Sequence, residues 1–322
     1  MLFNDEQLRV AANLRQYYAA WADAERAFRQ FTSYLGWKTV SGRAYLYRTD
    51  TKGNGTSLGP RSPVTEMQFA AFRSGREEAA ARVAGANEQL RVSGALYRAL
   101  RLGTIASPAA AILREADVRE MLGTDVLVIG TSAMAAYELE AGSRFAVGMD
   151  ATEDFDLAWS AEKRERLAVV RGPQAPLLSL LKAVDSTFVV NAERPFQARN
   201  RAAYEVEVLL APSLAGSYPA AEPLRPIPLP EQEWLLKGRR VDQVVCGRDG
   251  SAARVVAPDP RWFALHKLWL ADKPTRSPLK SPKDRRQGQV LLTVVRARMP
   301  HYPIDAGFAD KLPEQLARYL ES

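Results

Sequence analysis

The chain has 322 residues, 47% of them hydrophobic, a formal net charge of +7, one cysteine (Cys246) and two histidines (His266 and His301). This length and composition support a sizeable core in one or two domains, exclude a disulfide framework and a Cys/His zinc site, and leave no apolar run near the roughly 18 residues of a membrane span. No basic start is followed by an apolar leader, so a cytoplasmic protein is expected, and the positive surplus suits a polyanionic partner such as a nucleotide or nucleic acid.

From residue 5 to residue 35, Leu14, Tyr18, Trp21, Phe28, Phe31 and Leu35 recur at helical spacing, which predicts one long amphipathic helix with its aromatic stripe in a core. Alternation from Trp37 to Tyr47 predicts a strand or hairpin that ends in a flexible turn over residues 49–55. In Ser57-Leu58-Gly59-Pro60-Arg61-Ser62-Pro63, Ser62 is placed to cap a helix beginning on Pro63. The same stretch, with Lys52, Ser57, Arg61 and loop amides, also has the parts of an anion-binding nest. Helices follow over residues 63–102, and Ser107-Pro108 repeats the capping device before a helix through Met121.

Asp125-Val126-Leu127-Val128-Ile129 is a short β-branched run that stops at Gly130 and turns through Thr131 and Ser132 into an Ala-rich helix over 132–141. Amides and hydroxyls after Gly130 would lie at a helix N-terminus, where a phosphate is favoured. After the loop holding Arg144, Asp154 and Asp156 alternate with Phe155 and Leu157. In a strand the two aspartates share one face with Cα atoms about 7 Å apart. Carboxylates this close repel unless a cation lies between them, and a divalent metal with a preference for oxygen fits. Residues 161–184 read as helical with a break at Gly172-Pro173, and strands follow at 187–190 and 204–210 around a loop with Arg194, Arg199 and Arg201, giving a sheet of at least four strands. Glu205 and Glu207 again share one face of a β-branched strand, which is unfavourable unless they are solvated or matched to a cation. Glu207, deeper in the run, is the preferred third carboxylate, with Glu205 as the alternative.

Residues 212–230 form a Pro-rich connector. Runs at 241–246 and 253–257 flank Arg248-Asp249-Gly250 as a hairpin, and a helix after Pro260 carries Phe263, Leu265, Leu268 and Trp269. His266 and Lys267 are adjacent on that helix and point in different directions; Lys267 is the candidate to reach a β- or γ-phosphate, and His266 reads as a packed core residue. Between Lys273 and Arg298 lie eight basic residues and one acid, Asp284, with Lys280, Lys283, Arg285 and Arg286 near a helix start.

A strand, the Gly130-Thr131-Ser132 turn into a helix, Asp154-x-Asp156 on the next strand and a later strand acid resemble the nucleotidyltransferase fold of the polymerase-β-like superfamily. More narrowly, Ser57-Leu58-Gly59-Pro60-Arg61-Ser62, Ala151-Thr152-x-Asp154-x-Asp156-Leu157 and Phe263-Ala264-Leu265-His266-Lys267-Leu268 are similar to a bacterial family with that fold. The resemblance spans residues 37–289. It implies that the turn (Gly130, Thr131, Ser132) holds the triphosphate and that Asp154, Asp156 and Glu207 hold two Mg²⁺ ions, with Mn²⁺ as a substitute. Arg61, Arg144 and Lys267 are added as nucleotide-binding candidates. The turn departs from the Gly-Ser or Gly-Gly-Ser of many relatives, so both hydroxyls stay candidates.

The expected architecture is α+β, with a mixed-sheet nucleotidyltransferase core over 123–222, a mainly helical region with a hairpin over 1–122, and a hairpin with basic helices over 223–322. The expected activity is Mg-dependent transfer of a nucleoside monophosphate from an NTP to a hydroxyl on RNA, a protein or a small molecule. The competing expectation is a non-catalytic nucleic-acid-binding or interaction protein that keeps the fold. No membrane partner is expected, and the oligomeric state has no signature in the sequence.

Overall fold

The structure is a computed structural model that describes residues 1–50, 53–145, 154–160 and 177–320, excluding the side chain of Asp154. Lys52, residues 146–153 and the expected helix through the Gly172-Pro173 break up to residue 176 lie outside the described residues. In chain order come α1 (Asp5–Arg29), β1 (Tyr34–Val40), β2 (Arg43–Thr49), β3 (Gly55–Pro60), α2 (Pro63–Ala99), β4 (Thr104–Ile105), α3 (Ser107–Val118), β5 (Val126–Ile129), α4 (Met134–Ala141), β6 (Asp154–Trp159) and α5 (Leu177–Val184). There follow β7 (Val189–Val190), β8 (Gln197–Arg199), β9 (Glu205–Leu210), β10 (Ile227–Pro228), α6 (Gln232–Leu235), β11 (Val241–Gly247), β12 (Ala252–Ala257), α7 (Pro260–Asp272), α8 (Ser281–Arg298), α9 (Ala306–Ala309) and α10 (Glu314–Ala317). The α+β class is as expected.

The chain divides into two compact units, one of residues 16–92 and one of residues 1–15 with 93–322. In the smaller unit β1, β2 and β3 form an antiparallel sheet. Leu46 is fully buried, Trp37 meets Phe69 edge-on at 5.7 Å and Phe31 meets Phe72 at 5.4 Å. The first helix ends at Arg29 rather than running to residue 35, because Leu35 takes a place in the ladder opposite Arg48. The Pro63 helix starts as the sequence predicts. Thr65 N donates to Ser62 Oγ at 3.3 Å and Ser62 N donates back to Thr65 Oγ1 at 2.9 Å, a reciprocal cap.

In the larger unit a six-stranded mixed sheet runs in the order β5-β6-β9-β8-β7, with β10 parallel to the end of β9. β5 is antiparallel to β6, and β6 is parallel to β9. One sheet face is apolar: Val126, Val128, Phe155, Leu157, Val206 and Val208 are all essentially buried, and each such side chain contributes about 1.5–3 kcal/mol by leaving water. A second sheet, β12-β11-β4, packs on α3 and α4 and reaches β5. Two local expectations change. Ser107 does not cap α3; the cap position is Ala106, and Ser107 Oγ accepts from Asp249 N at 3.1 Å. The Pro-rich connector is partly ordered, with a short 3₁₀ segment at Pro212–Ser217 and the β10 pairing. Among the described residues no helix is long and apolar enough to cross a membrane.

Candidate active site

Strand alternation with register decides which side chains meet. Asp156 stands opposite Ile129 of β5 on one side and Glu207 of β9 on the other, and Asp154 stands opposite Glu205. Because residues opposite each other share a face, Asp156, Glu205 and Glu207 lie on the sheet face away from Phe155 and Leu157. Asp156, Glu205 and Glu207 are half-buried there.

Gly130 closes β5 with φ 75° and ψ −158°, a conformation open to glycine and hardly to other residues. A Cβ at this position would fall on the Asp156 carboxylate. The missing side chain therefore lets Asp156 sit against the backbone of the turn, next to the 3₁₀ segment Thr131–Ala133 that leads into α4. Thr131 and Ser132 are buried, at 9% and 6% exposure. Thr131 Oγ1 accepts from Gln287 Nε2 of α8 at 3.3 Å, which ties the turn to the C-terminal helices.

The residue that sequence reasoning missed is Gln197. It is 2% exposed, and its Nε2 donates to Glu205 Oε2 at 2.8 Å and to Glu207 Oε1 at 3.2 Å. Asn191 Nδ2 donates to Gln197 Oε1 at 2.8 Å, so the amide is oriented with its N–H groups toward the acids. Arg199 Nε lies 3.7 Å from Glu205 Oε1. Glu205 thus has a cation at its side, while Glu207 is the acid in register with Asp156. A three-residue strand such as β8 gives no periodic signal, so only the ladder with β9 reveals Gln197.

A match to a nucleotidyltransferase family model covers residues 107–312, well over half of the chain and all of the acidic strands. The chain belongs to this nucleotidyltransferase family. No curated protein and no solved structure matches it.

The other candidates occupy separate settings. Lys267 is 5% exposed; its Nζ lies 2.7 Å from Asp284 Oδ1 and 5.5 Å from the Phe263 ring centre. Arg276 Nε donates to Asp284 Oδ2 at 2.7 Å. Burial works against the Asp284 charge, yet the neighbouring Lys267 and Arg276 hold its carboxyl below the ordinary value. His266 stacks near Trp269 and stands edge-on to Trp234, each at 6.2 Å, and burial with the Lys267 charge pushes its imidazole down to about 3. It is neutral at pH 7. Arg144 Nε is 3.5 Å from Glu138 Oε2, whose partner oxygen accepts from Phe145 N at 2.7 Å. Arg61 belongs to the other unit, where it pairs with Glu66 at 2.7 Å and lies over Trp37. Among the described residues no group of three or more His, Cys, Asp or Glu side chains is arranged to hold a metal ion; the Asp154 carboxylate is not among them.

Proposed function

We propose that the protein is a magnesium-dependent nucleotidyltransferase that moves a nucleoside monophosphate from an NTP to a hydroxyl of RNA, a protein or a small molecule, releasing pyrophosphate. The observation that carries this reading is the seating of the Asp156 carboxylate against Gly130, on a strand that sets Asp156 beside Glu207. It joins the phosphate-sized turn to the acids. Carboxylate oxygens are hard donors, so Asp154, Asp156 and Glu207 fit Mg²⁺, or Mn²⁺ in its place. Bound there, the ions would neutralise charge on the phosphates and lower the pKa of the attacking hydroxyl. Arg199 compensates Glu205, and Glu207 is the acid in register with Asp156, which favours Glu207 as the third ligand. Turn amides after Gly130, with Thr131 and Ser132, would receive phosphate oxygens at the start of α4. Lys267, Arg144 and Arg61 are engaged elsewhere, with Asp284, Glu138 and Glu66.

The non-catalytic reading draws less support. Three of the eight basic residues from Lys273 to Arg298 are paired with acids: Lys273 with Glu231 at 2.6 Å, Arg276 with Asp284, and Arg285 with Asp272 at 2.6 Å. Incubating the protein with each α-labelled NTP, Mg²⁺ and cell extract should transfer label to one acceptor class. Equal labelling by an Asp154→Ala, Asp156→Ala double variant would overturn the assignment.

A further inference from the structure

The sheet of the 16–92 unit lies outside the matched family span and has one face in a core and one face that is open among the described residues. Leu35, Trp37 and Leu46 point inward. By alternation and register the opposite face carries Tyr34, Lys38 and Val40 of β1 with Arg43, Tyr45, Tyr47 and Thr49 of β2. Tyr34 is 64% exposed, Val40 is 40% exposed, Lys38 and Arg43 are exposed, and Tyr45 and Tyr47 are half-buried. Lys38 stands directly opposite Tyr45, and its ammonium is 5.4 Å from the centre of the Tyr47 ring. Gly36, opposite Tyr47, supplies a gap in the face that the Tyr34 ring fills: a Cβ at residue 36 would come 2.5 Å from Tyr34 Cε1. Three rings therefore lie together on two strands. The three strands of this sheet contain Lys38, Arg43 and Arg48 and no acidic residue, and residues 16–92 contain eleven basic against seven acidic residues.

Flat rings offer a sequence-tolerant surface for unstacked bases, and cations beside them suit the connecting phosphates. With Lys38 and Arg43 on this face and no acid in the three strands, a polyanion is favoured, whereas a basic peptide partner would meet like charge. We infer that this face binds single-stranded nucleic acid, with bases stacked on Tyr34, Tyr45 and Tyr47 and the backbone met by Lys38 and Arg43. The site stands independently of nucleotidyl transfer, since its test uses no NTP.

Fluorescence anisotropy of the full chain should show saturable binding of short labelled single-stranded RNA or DNA of mixed sequence. The single strand should bind more tightly than a duplex of the same sequence, with affinity falling as salt rises from about 50 to 200 mM. Separate RNA and DNA arms tell which sugar is preferred, and tight binding of either one supports the site. Tyr45→Ala with Tyr47→Ala should lower affinity about tenfold or more, the Tyr→Phe pair should retain it, and Lys38→Gln should reduce the salt slope by about 1. The inference is overturned if neither single strand binds at low salt, if duplex binds as tightly, or if the double Ala variant binds unchanged. Should that variant not fold, exposed Tyr34→Ala takes its place, and unchanged affinity there overturns the inference equally.

Discussion

At Gly130 two constraints coincide, a backbone conformation closed to L side chains and a space already filled by the Asp156 carboxylate. Gly130→Ala must strain the turn and displace the acid together. The expected cost is about 1–3 kcal/mol, read from urea unfolding, with loss of transfer activity in the protein that remains folded. Gln197 acts on the same site from the other side. Gln197→Leu removes the donor to Glu205 and Glu207 and strands the Asn191 amide, at an expected cost of about 1–3 kcal/mol in the same assay. The glycine and the acid pair were legible in the sequence because each carries a local signal, a turn residue and a period of two. Gln197 was not, since its role exists only through the β8–β9 pairing.

Among the elements, α7 and α8 are joined by a buried ion cluster in place of a purely apolar seam. Asp284 of α8 receives both Lys267 and Arg276, and Gln287, one turn further along, reaches Thr131. Lys267→Met would leave the buried acid with one cation and should destabilise by about 3 kcal/mol. Because the folded carboxyl of Asp284 sits below its ordinary value, the unfolded chain binds more protons as pH falls through that range. The stability it contributes is present above the unfolded carboxylate pKa and is lost in acid, so Asp284→Asn should flatten the acid limb of the stability curve. His266 works in a higher window. Its folded value of about 3 lies under the ordinary 6.5, so the unfolded chain takes up a proton first and stability falls as pH drops from 6.5 toward 3. Between pH 7 and pH 5 the contribution is about 2 kcal/mol, and unfolding of a His266→Leu variant should lack that part of the pH dependence. Neither ring nitrogen has a hydrogen-bond partner among the described residues, so the substitution leaves none unsatisfied. The sequence shows eight basic residues and one acid between Lys273 and Arg298; that three of these cations are paired internally follows only from packing.

At the scale of the whole chain, the family match and the acidic face lie in one compact unit and the tyrosine face in the other. An NTP with Mg²⁺ that binds only the folded state must stabilise it, by about 2.7 kcal/mol at a hundredfold excess over Kd. The expected outcome is a rise in melting temperature that needs both Mg²⁺ and NTP and disappears in Asp156→Asn. An unchanged melting temperature under saturating nucleotide would remove the basis for the transfer reading.

What the sequence determined by itself is local: the strand that stops at Gly130, the aspartates alternating with Phe155 and Leu157, the acidic strand at 205–210 and the helix entering at Pro63. Each follows from periodicity or backbone chemistry within a few residues. Tertiary structure decided what those pieces face. The parallel register set Asp156 beside Glu207, while Arg199 and Gln197 met Glu205. The seam between α7 and α8 took Lys267 into a buried pair. Contacts between residues far apart in the chain have no repeat in sequence to announce them, and a carboxylate seated against Gly130 is visible only once β5 and β6 lie side by side.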